Sequence, residues 1–236
     1  IFMSIAFTAT AILTKPDWSA VFAGFIPRWN DDNLPTLVAL IGTTVVPYNL
    51  FLYASLAKTR WSGSADIPWM RKDIAISIIL GGLVSMAILM VGAANSSIEI
   101  TSAIDVSKGL EGVFGSFAKY LMGFGLMAAG LTSSITAPLA AGLVICGILG
   151  WSQEIRSSSM RASMGIIVGL GLVFASLGIK PVQLITLAQL ANGILLPLIS
   201  GWIIWIASQK EILGNFRNKP RQTVIAGVIW LVTLIL

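Results

Sequence analysis

Residues 74–94, IAISIILGGLVSMAILMVGAA, run for 21 positions without a charged side chain. A helix of about 20 residues at 1.5 Å per residue matches the ~30 Å hydrocarbon core of a bilayer. In that solvent every backbone N–H and C=O must be satisfied internally, which a helix does within one segment. Comparable runs recur at about 1–14, 36–57, 114–149, 162–178, 182–207 and 223–236. Only 11% of the 236 residues are charged and 56% are hydrophobic, with a mean hydropathy of +0.88. A soluble domain carries roughly 25% charged residues, so this chain has too few to cover a water-facing surface. The expected fold is an all-α polytopic membrane protein in a single transmembrane domain, 1–236, partnered by the lipid bilayer. Both ends fall inside apolar runs and no initiator Met is present, which reads as a fragment of a longer protein.

What the chain lacks narrows its chemistry. It has no histidine, so Ser-His-Asp, Cys-His and H-E-x-x-H arrangements are excluded. There is no G-x-x-x-x-G-K-[ST] pattern to hold ATP and no nucleophile–base pair, and no enzyme or cofactor is expected. The one cysteine, Cys146, lies in an apolar run as a small packing residue. Lys and Arg outnumber Asp and Glu by 15 to 10, giving a pI near 9.6, but these bases sit in short loops. They read as topology signals rather than a nucleic-acid footprint.

Alternate loops divide the bases unequally. Lys58, Arg60, Arg71, Lys72, Arg156, Arg161, Lys210, Arg217, Lys219 and Arg221 make ten on one side; Lys15, Arg28, Lys108, Lys119 and Lys180 make five on the other. The excess places the first set in the cytoplasm. Trp18 and Trp29, between the first two runs, suit a short interfacial helix. The carboxylates all lie in or beside loops, so any anionic ligand for a cation at mid-membrane comes from outside these residues.

Three apolar runs carry polar interruptions. In GTTVVPYNLFLYAS, residues 42–55, Pro47 has no N–H and its ring clashes with the carbonyl one turn back. One reading is a proline kink with no ligand, which membrane helices tolerate. The other is a discontinuous helix whose free carbonyls coordinate a cation at the midplane, with Thr43, Thr44, Tyr48 and Asn49 around it. GLMAAGLTSSITAPLAAG, residues 125–142, packs small and hydroxylated residues ahead of Pro138, where the run is expected to bend or break. It serves close helix packing, or Thr132, Ser133, Ser134 and Thr136 line a polar path. LAQLANGILLP, residues 187–197, places Gln189 and Asn192 on one helix face, either for an inter-helix hydrogen bond or for a site. Gly193 with Pro197 suggests local bending or unwinding there.

Together these segments resemble, in order, the broken sixth helix, the eighth helix and the tenth helix of NRAMP-type divalent metal transporters, a likeness covering essentially the whole chain. The resemblance implies the second inverted repeat of a LeuT-type fold, with its helix broken at about 46–49. It implies a secondary-type transporter moving a divalent metal ion by alternating access, the metal being substrate rather than cofactor. Thr43, through its carbonyl, Val46 and Gln189 would face the metal; Thr44, Pro47, Tyr48, Asn49, Thr132, Ser133 and Asn192 would support or gate the site. First-repeat helices absent from this chain would complete it with an Asp. Val46 and Tyr48 stand where the family pattern has Met and His. Without a thioether the site suits a hard ion such as Mg²⁺, with Mn²⁺ also open. Tyr48 offers a phenol in place of an imidazole, which makes it a poor proton relay. An organic-solute symporter of the same fold and a non-transporting membrane scaffold are the alternatives. A bacterial inner membrane is the expected location.

Overall fold

In hydrocarbon a chain that closes its own backbone hydrogen bonds is favoured, and the computed structural model is helical wherever it is regular. It describes residues 1–24, 34–44, 46–61, 63–95 and 102–235. Trp29, Arg28, Asp31, Asp32 and Glu99 lie outside the described residues. The helices are α1 (Phe2–Leu13), α2 (Trp18–Ala23), α3 (Leu34–Thr44), α4 (Pro47–Arg60), α5 (Ile67–Ala94), α6 (Ala103–Phe114), α7 (Ala118–Ile148), α8 (Ser158–Ser176), α9 (Pro181–Ser208), α10 (Lys210–Leu213) and α11 (Pro220–Ile235). Among the described residues five stretches are long and apolar enough to cross a membrane: Leu34–Arg60, Ser64–Ala94, Ile104–Ile148, Ser158–Ser176 and Pro181–Ser208. The chain is an all-helical, polytopic membrane protein. Its outward faces are apolar, with Ile78 67%, Leu172 67% and Leu198 70% exposed.

The chain forms two compact units. The first comprises Ile1–Pro27 and Tyr53–Val173. Its core joins α1, α5, α6 and α7 through Phe7, Ala11, Ala87, Val91, Leu110, Ala118 and Met122. The α7–α8 crossing buries Cys146, whose Sγ lies 4.0 Å from Met160 Sδ and 3.9 Å from Ser163 Oγ. Small Gly142 admits Met160 there, since a Cβ would stand 2.9 Å from the Met160 sulfur.

α2 starts where Asp17 accepts from the Ser19 and Ala20 backbone N–H groups and the Ser19 hydroxyl. Those bonds, the Ser19 hydroxyl first, hold the Asp17 carboxyl below its ordinary value. Trp18 is the first residue of this helix.

The second unit comprises Arg28–Leu52 and Phe174–Leu236. There α3 and α11 both pack on α9. The turn after α8 passes through Gly178 at φ +70°, a conformation only glycine adopts freely, and Pro181 then opens α9. Trp230 of α11 donates its indole N–H to the Pro197 carbonyl at 2.7 Å, with Gly201 leaving room for the ring.

Several sequence expectations change in detail. α7 is helical straight through Pro138, and α9 through Gly193 and Pro197, so neither is broken or unwound. Membrane helices tolerate such a proline where neighbouring groups re-satisfy the backbone carbonyl it frees. The polar stretch before α7, expected to be a connector, contains α6. Its start is fixed by a capping box in which Ser102 and Asp105 satisfy each other's backbone N–H. The long run expected over 114–149 becomes helical in earnest only at Ala118, after a 3-10 turn at Gly115–Phe117.

Candidate functional site

The run containing Pro47 is two helices. α3 ends at Thr44 and α4 begins at Pro47. The interruption therefore precedes Pro47 rather than spanning about 46–49, and Tyr48 and Asn49 belong to the first turn of α4. The reason is local: proline at the first helical position has its φ preset, and its missing N–H would have had no partner there. Asn49 N–H closes this turn on the Val46 carbonyl at 3.0 Å.

A helix leaves its last four carbonyls without intrahelical donors. At the end of α3 these include the carbonyls of Gly42, Thr43 and Thr44. The same end carries the partial negative charge of the helix dipole, which favours a cation. The Thr44 hydroxyl turns back to the Leu40 carbonyl at 2.9 Å, so it stays with its own helix. Thr43, Thr44 and Asn49 are exposed, Val46 and Tyr48 half-buried, and Pro47 buried.

α9 meets α3 at this point by backbone contact. A Cβ on Gly42 would fall on the Gln189 carbonyl and 2.5 Å from the Gly193 nitrogen. A Cβ on Gly193 would fall on the Val38 carbonyl and 2.7 Å from Val38 Cγ1. Only two glycines facing each other permit this approach. It brings the Gln189 segment against the residue that precedes Thr43. On α9 itself, Asn192 donates to Gln189 Oε1 at 3.0 Å, within one helix rather than between two. Both side chains are half-buried.

Thr132 and Ser133 belong to the first unit and are exposed there. The Thr132 hydroxyl donates to the Ala128 and Ala129 carbonyls at 3.0 and 2.9 Å, Ser134 to Leu131 at 2.9 Å and Thr136 to Thr132 at 2.6 Å. The hydroxyls of Thr132, Ser134 and Thr136 thus bond to their own helix. Among the described residues no three His, Cys, Asp or Glu side chains cluster as a metal site.

The glycine pair was missed in the sequence reading, which took Gly193 for a bend and gave Gly42 no role. Its signal was a glycine inside each of two apolar helices, the usual mark of close backbone approach in membranes. These features define a polytopic helical membrane protein with a discontinuous helix locked against a continuous one.

The comparisons specify the class further. The whole chain, residues 1–236, matches the family model described as natural resistance-associated macrophage protein-like, and the chain belongs to that family. It is 30% identical over 246 residues to the divalent metal cation transporter MntH 1 of Pseudomonas aeruginosa, covering 95% of this chain and 54% of that protein. It is 29% identical over 245 residues to the natural resistance-associated macrophage protein 2 homolog of Dictyostelium discoideum, covering 96% of this chain and 38% of the relative. A Nostoc divalent metal cation transporter MntH shares 27% over 256 residues, 99% of this chain and 56% of its own length. The chain thus spans about half the length of the relatives it matches. The family is one of transporters, not enzymes, and the metal is what they carry rather than a cofactor.

Proposed function

We propose that the complete protein is a secondary-type divalent metal cation transporter of the Mg²⁺ or Mn²⁺ class, working by alternating access in a bacterial plasma membrane. The observation that carries this reading is the end of α3 at Thr44, held by the Gly42–Gly193 approach against the Gln189 segment of α9. Carbonyls freed at a helix break coordinate cations in transporters built this way. Relatives bearing the name divalent metal cation transporter support the substrate class.

In this reading the Thr43 carbonyl, the backbone at Val46 and the Gln189 amide contribute oxygens. The remaining anionic ligand comes from first-repeat helices of the complete protein, arranged with this half as the inverted repeats of a LeuT-type fold. Asn192, which holds Gln189 Oε1 at 3.0 Å, sets the orientation of that amide. Valine adds no side-chain ligand, and an all-oxygen shell selects a hard ion. Tyr48 offers a phenol where the family pattern has an imidazole, and in this reading ion movement proceeds without a proton relay at that position.

The test is uptake by the complete protein in liposomes at fixed membrane potential, comparing Mg²⁺ with Mn²⁺ while an internal dye reports pH. Mg²⁺ uptake without acidification is expected, and Val46→Met should tilt selectivity toward Mn²⁺ and Cd²⁺. Mn²⁺ uptake with acidification would overturn the hard-ion reading. Unchanged selectivity in Val46→Met would remove Val46 from the site.

A further inference from the structure

The hairpin between α4 and α5 lies on the side that the Lys and Arg excess assigns to the cytoplasm. Two of its cations are laid on indole rings. The Arg60 guanidinium sits 5.0 Å from the centre of the Trp61 ring, and Lys72 Nζ sits 4.7 Å from that of Trp69. Arg60 also reaches Asp73 at 3.8 Å, which ties the end of α4 to the start of α5. Over residues 58–73 four cations, Lys58, Arg60, Arg71 and Lys72, face two carboxylates, Asp66 and Asp73. The surface is therefore positive, and the four cations are exposed.

The face of α5 that carries this charge continues as hydrocarbon. Trp69, Lys72, Ile76, Ile79 and Leu83 follow one another at helical spacing, within about 80° of arc at 100° per residue. The apolar members are 61% (Trp69), 59% (Ile76), 61% (Ile79) and 55% (Leu83) exposed. From Trp69 to Leu83 the helix rises about 21 Å, the depth of a lipid acyl chain plus its glycerol. A free phosphate ion would use only the top of such a stripe. A phospholipid with an anionic headgroup would use all of it, the phosphate at Lys72 and Arg60, the glycerol at the Trp69 ring and an acyl chain along Ile76, Ile79 and Leu83.

We propose that this hairpin is a binding site for an anionic phospholipid of the cytoplasmic leaflet. Basic residues beside a membrane-spanning helix attract such headgroups, and indole rings settle at headgroup depth. The Arg60–Asp73 pair preorganises the site by holding the two helix ends together with Arg60 in place, while Lys58 and Arg71 keep the surrounding surface net positive. The inference does not depend on what the protein transports.

The experiment is native mass spectrometry of the complete protein in neutral detergent, titrated with phosphatidylglycerol or phosphatidylcholine of identical acyl chains. Phosphatidylglycerol should be retained at least about tenfold more strongly, since each cation near the surface is worth about fivefold in affinity. Lys72→Gln should lower phosphatidylglycerol affinity about fivefold, and adding Arg71→Gln about fivefold again, with phosphatidylcholine unchanged. Neither substitution touches the Arg60–Asp73 pair, and Lys72→Arg should retain binding. Trp69→Leu should weaken both lipids. Equal retention of the two lipids, or phosphatidylglycerol binding unaltered by Lys72→Gln, would overturn the proposal. Displacement of the lipid by an equal concentration of inorganic phosphate would overturn it as well, by marking a site for a free anion.

Discussion

The contact between α3 and α9 makes Gly42→Ala the most informative single substitution. The added methyl would stand on the Gln189 carbonyl and 2.5 Å from the Gly193 nitrogen. Ordinary contact between such atoms is about 3.5 Å, and the Gln189 carbonyl is the nearer of the two, so the helices must part by roughly 1.5 Å. Overpacking costs about 1–3 kcal/mol. The upper end applies here, because both opposed atoms are backbone and cannot swing aside. Alanine returns about 1 kcal/mol of helix propensity, leaving a net loss of roughly 2 kcal/mol. For a protein roughly twice this chain's length, at about 1–2 °C per kcal/mol, melting should fall by about 2–4 °C. Gly81→Ala is the control: its Cβ meets nothing within 4 Å, so it carries only the propensity gain. The assay is thermal unfolding of the intact protein in detergent by tryptophan fluorescence at one scan rate, since membrane proteins often unfold irreversibly. Gly193→Ala should behave like Gly42→Ala, and the double variant should lose less than the sum, because one displacement relieves both clashes. A Gly42→Ala protein that melts no lower than Gly81→Ala would refute the close crossing.

Two further outcomes follow from single contacts. Trp230→Phe keeps the ring on Gly201 but removes the 2.7 Å bond to Pro197; inter-helix bonds in membranes average about 0.6 kcal/mol, so melting should drop by about 1 °C, and a clearly larger shift would mean the ring position also changed. At α2, the Asp17 carboxyl is held below its ordinary 3.8 by the Ser19 hydroxyl and then the Ser19 and Ala20 N–H groups. A depressed carboxyl stabilises above its unfolded value and ceases to as pH falls through the lower folded value. Amide protection at Val21 and Gly24, corrected for intrinsic exchange, should therefore fall below about pH 4 in the native protein and stay flat with pH in Asp17→Asn.

Apolar runs were legible because span length is set by the solvent: the 74–94 run lies wholly inside α5, Ile67–Ala94. Pro47 announced an interruption, and only the boundary shifted, since the same residue that ends one helix is well placed to begin the next. α6 was hidden by its polarity, although Ser102 and Asp105 at N-cap spacing carried its start. Pro138 and Pro197 looked like Pro47 yet sit inside continuous helices. What separates them is tertiary, as with the Trp230 bond that reaches Pro197 across 33 positions. Gly42 and Gly193 were visible as letters but not as a pair, because close approach is a property of two helices and a single sequence displays one at a time.

A break in a helix can serve as a set of acceptors only if its ends do not fray, and helix ends ordinarily do. Here three separate devices oppose fraying. Gly42 presses the last turn of α3 onto the backbone of α9. The Thr44 hydroxyl closes that turn on Leu40. Pro47 begins α4 with its φ already set, and Asn49 bonds back to Val46. The carbonyl of Thr43 is thus one residue from the rigid crossing and four from the rigid restart. Moving the crossing must move that carbonyl with it, so the proposed metal site predicts that stability and metal affinity are coupled through Gly42. In the complete protein, Gly42→Ala should weaken Mg²⁺ binding measured by calorimetry even at temperatures well below its melting point. Native Mg²⁺ affinity in a variant with the expected loss of stability would separate the two and place the ion away from the end of α3.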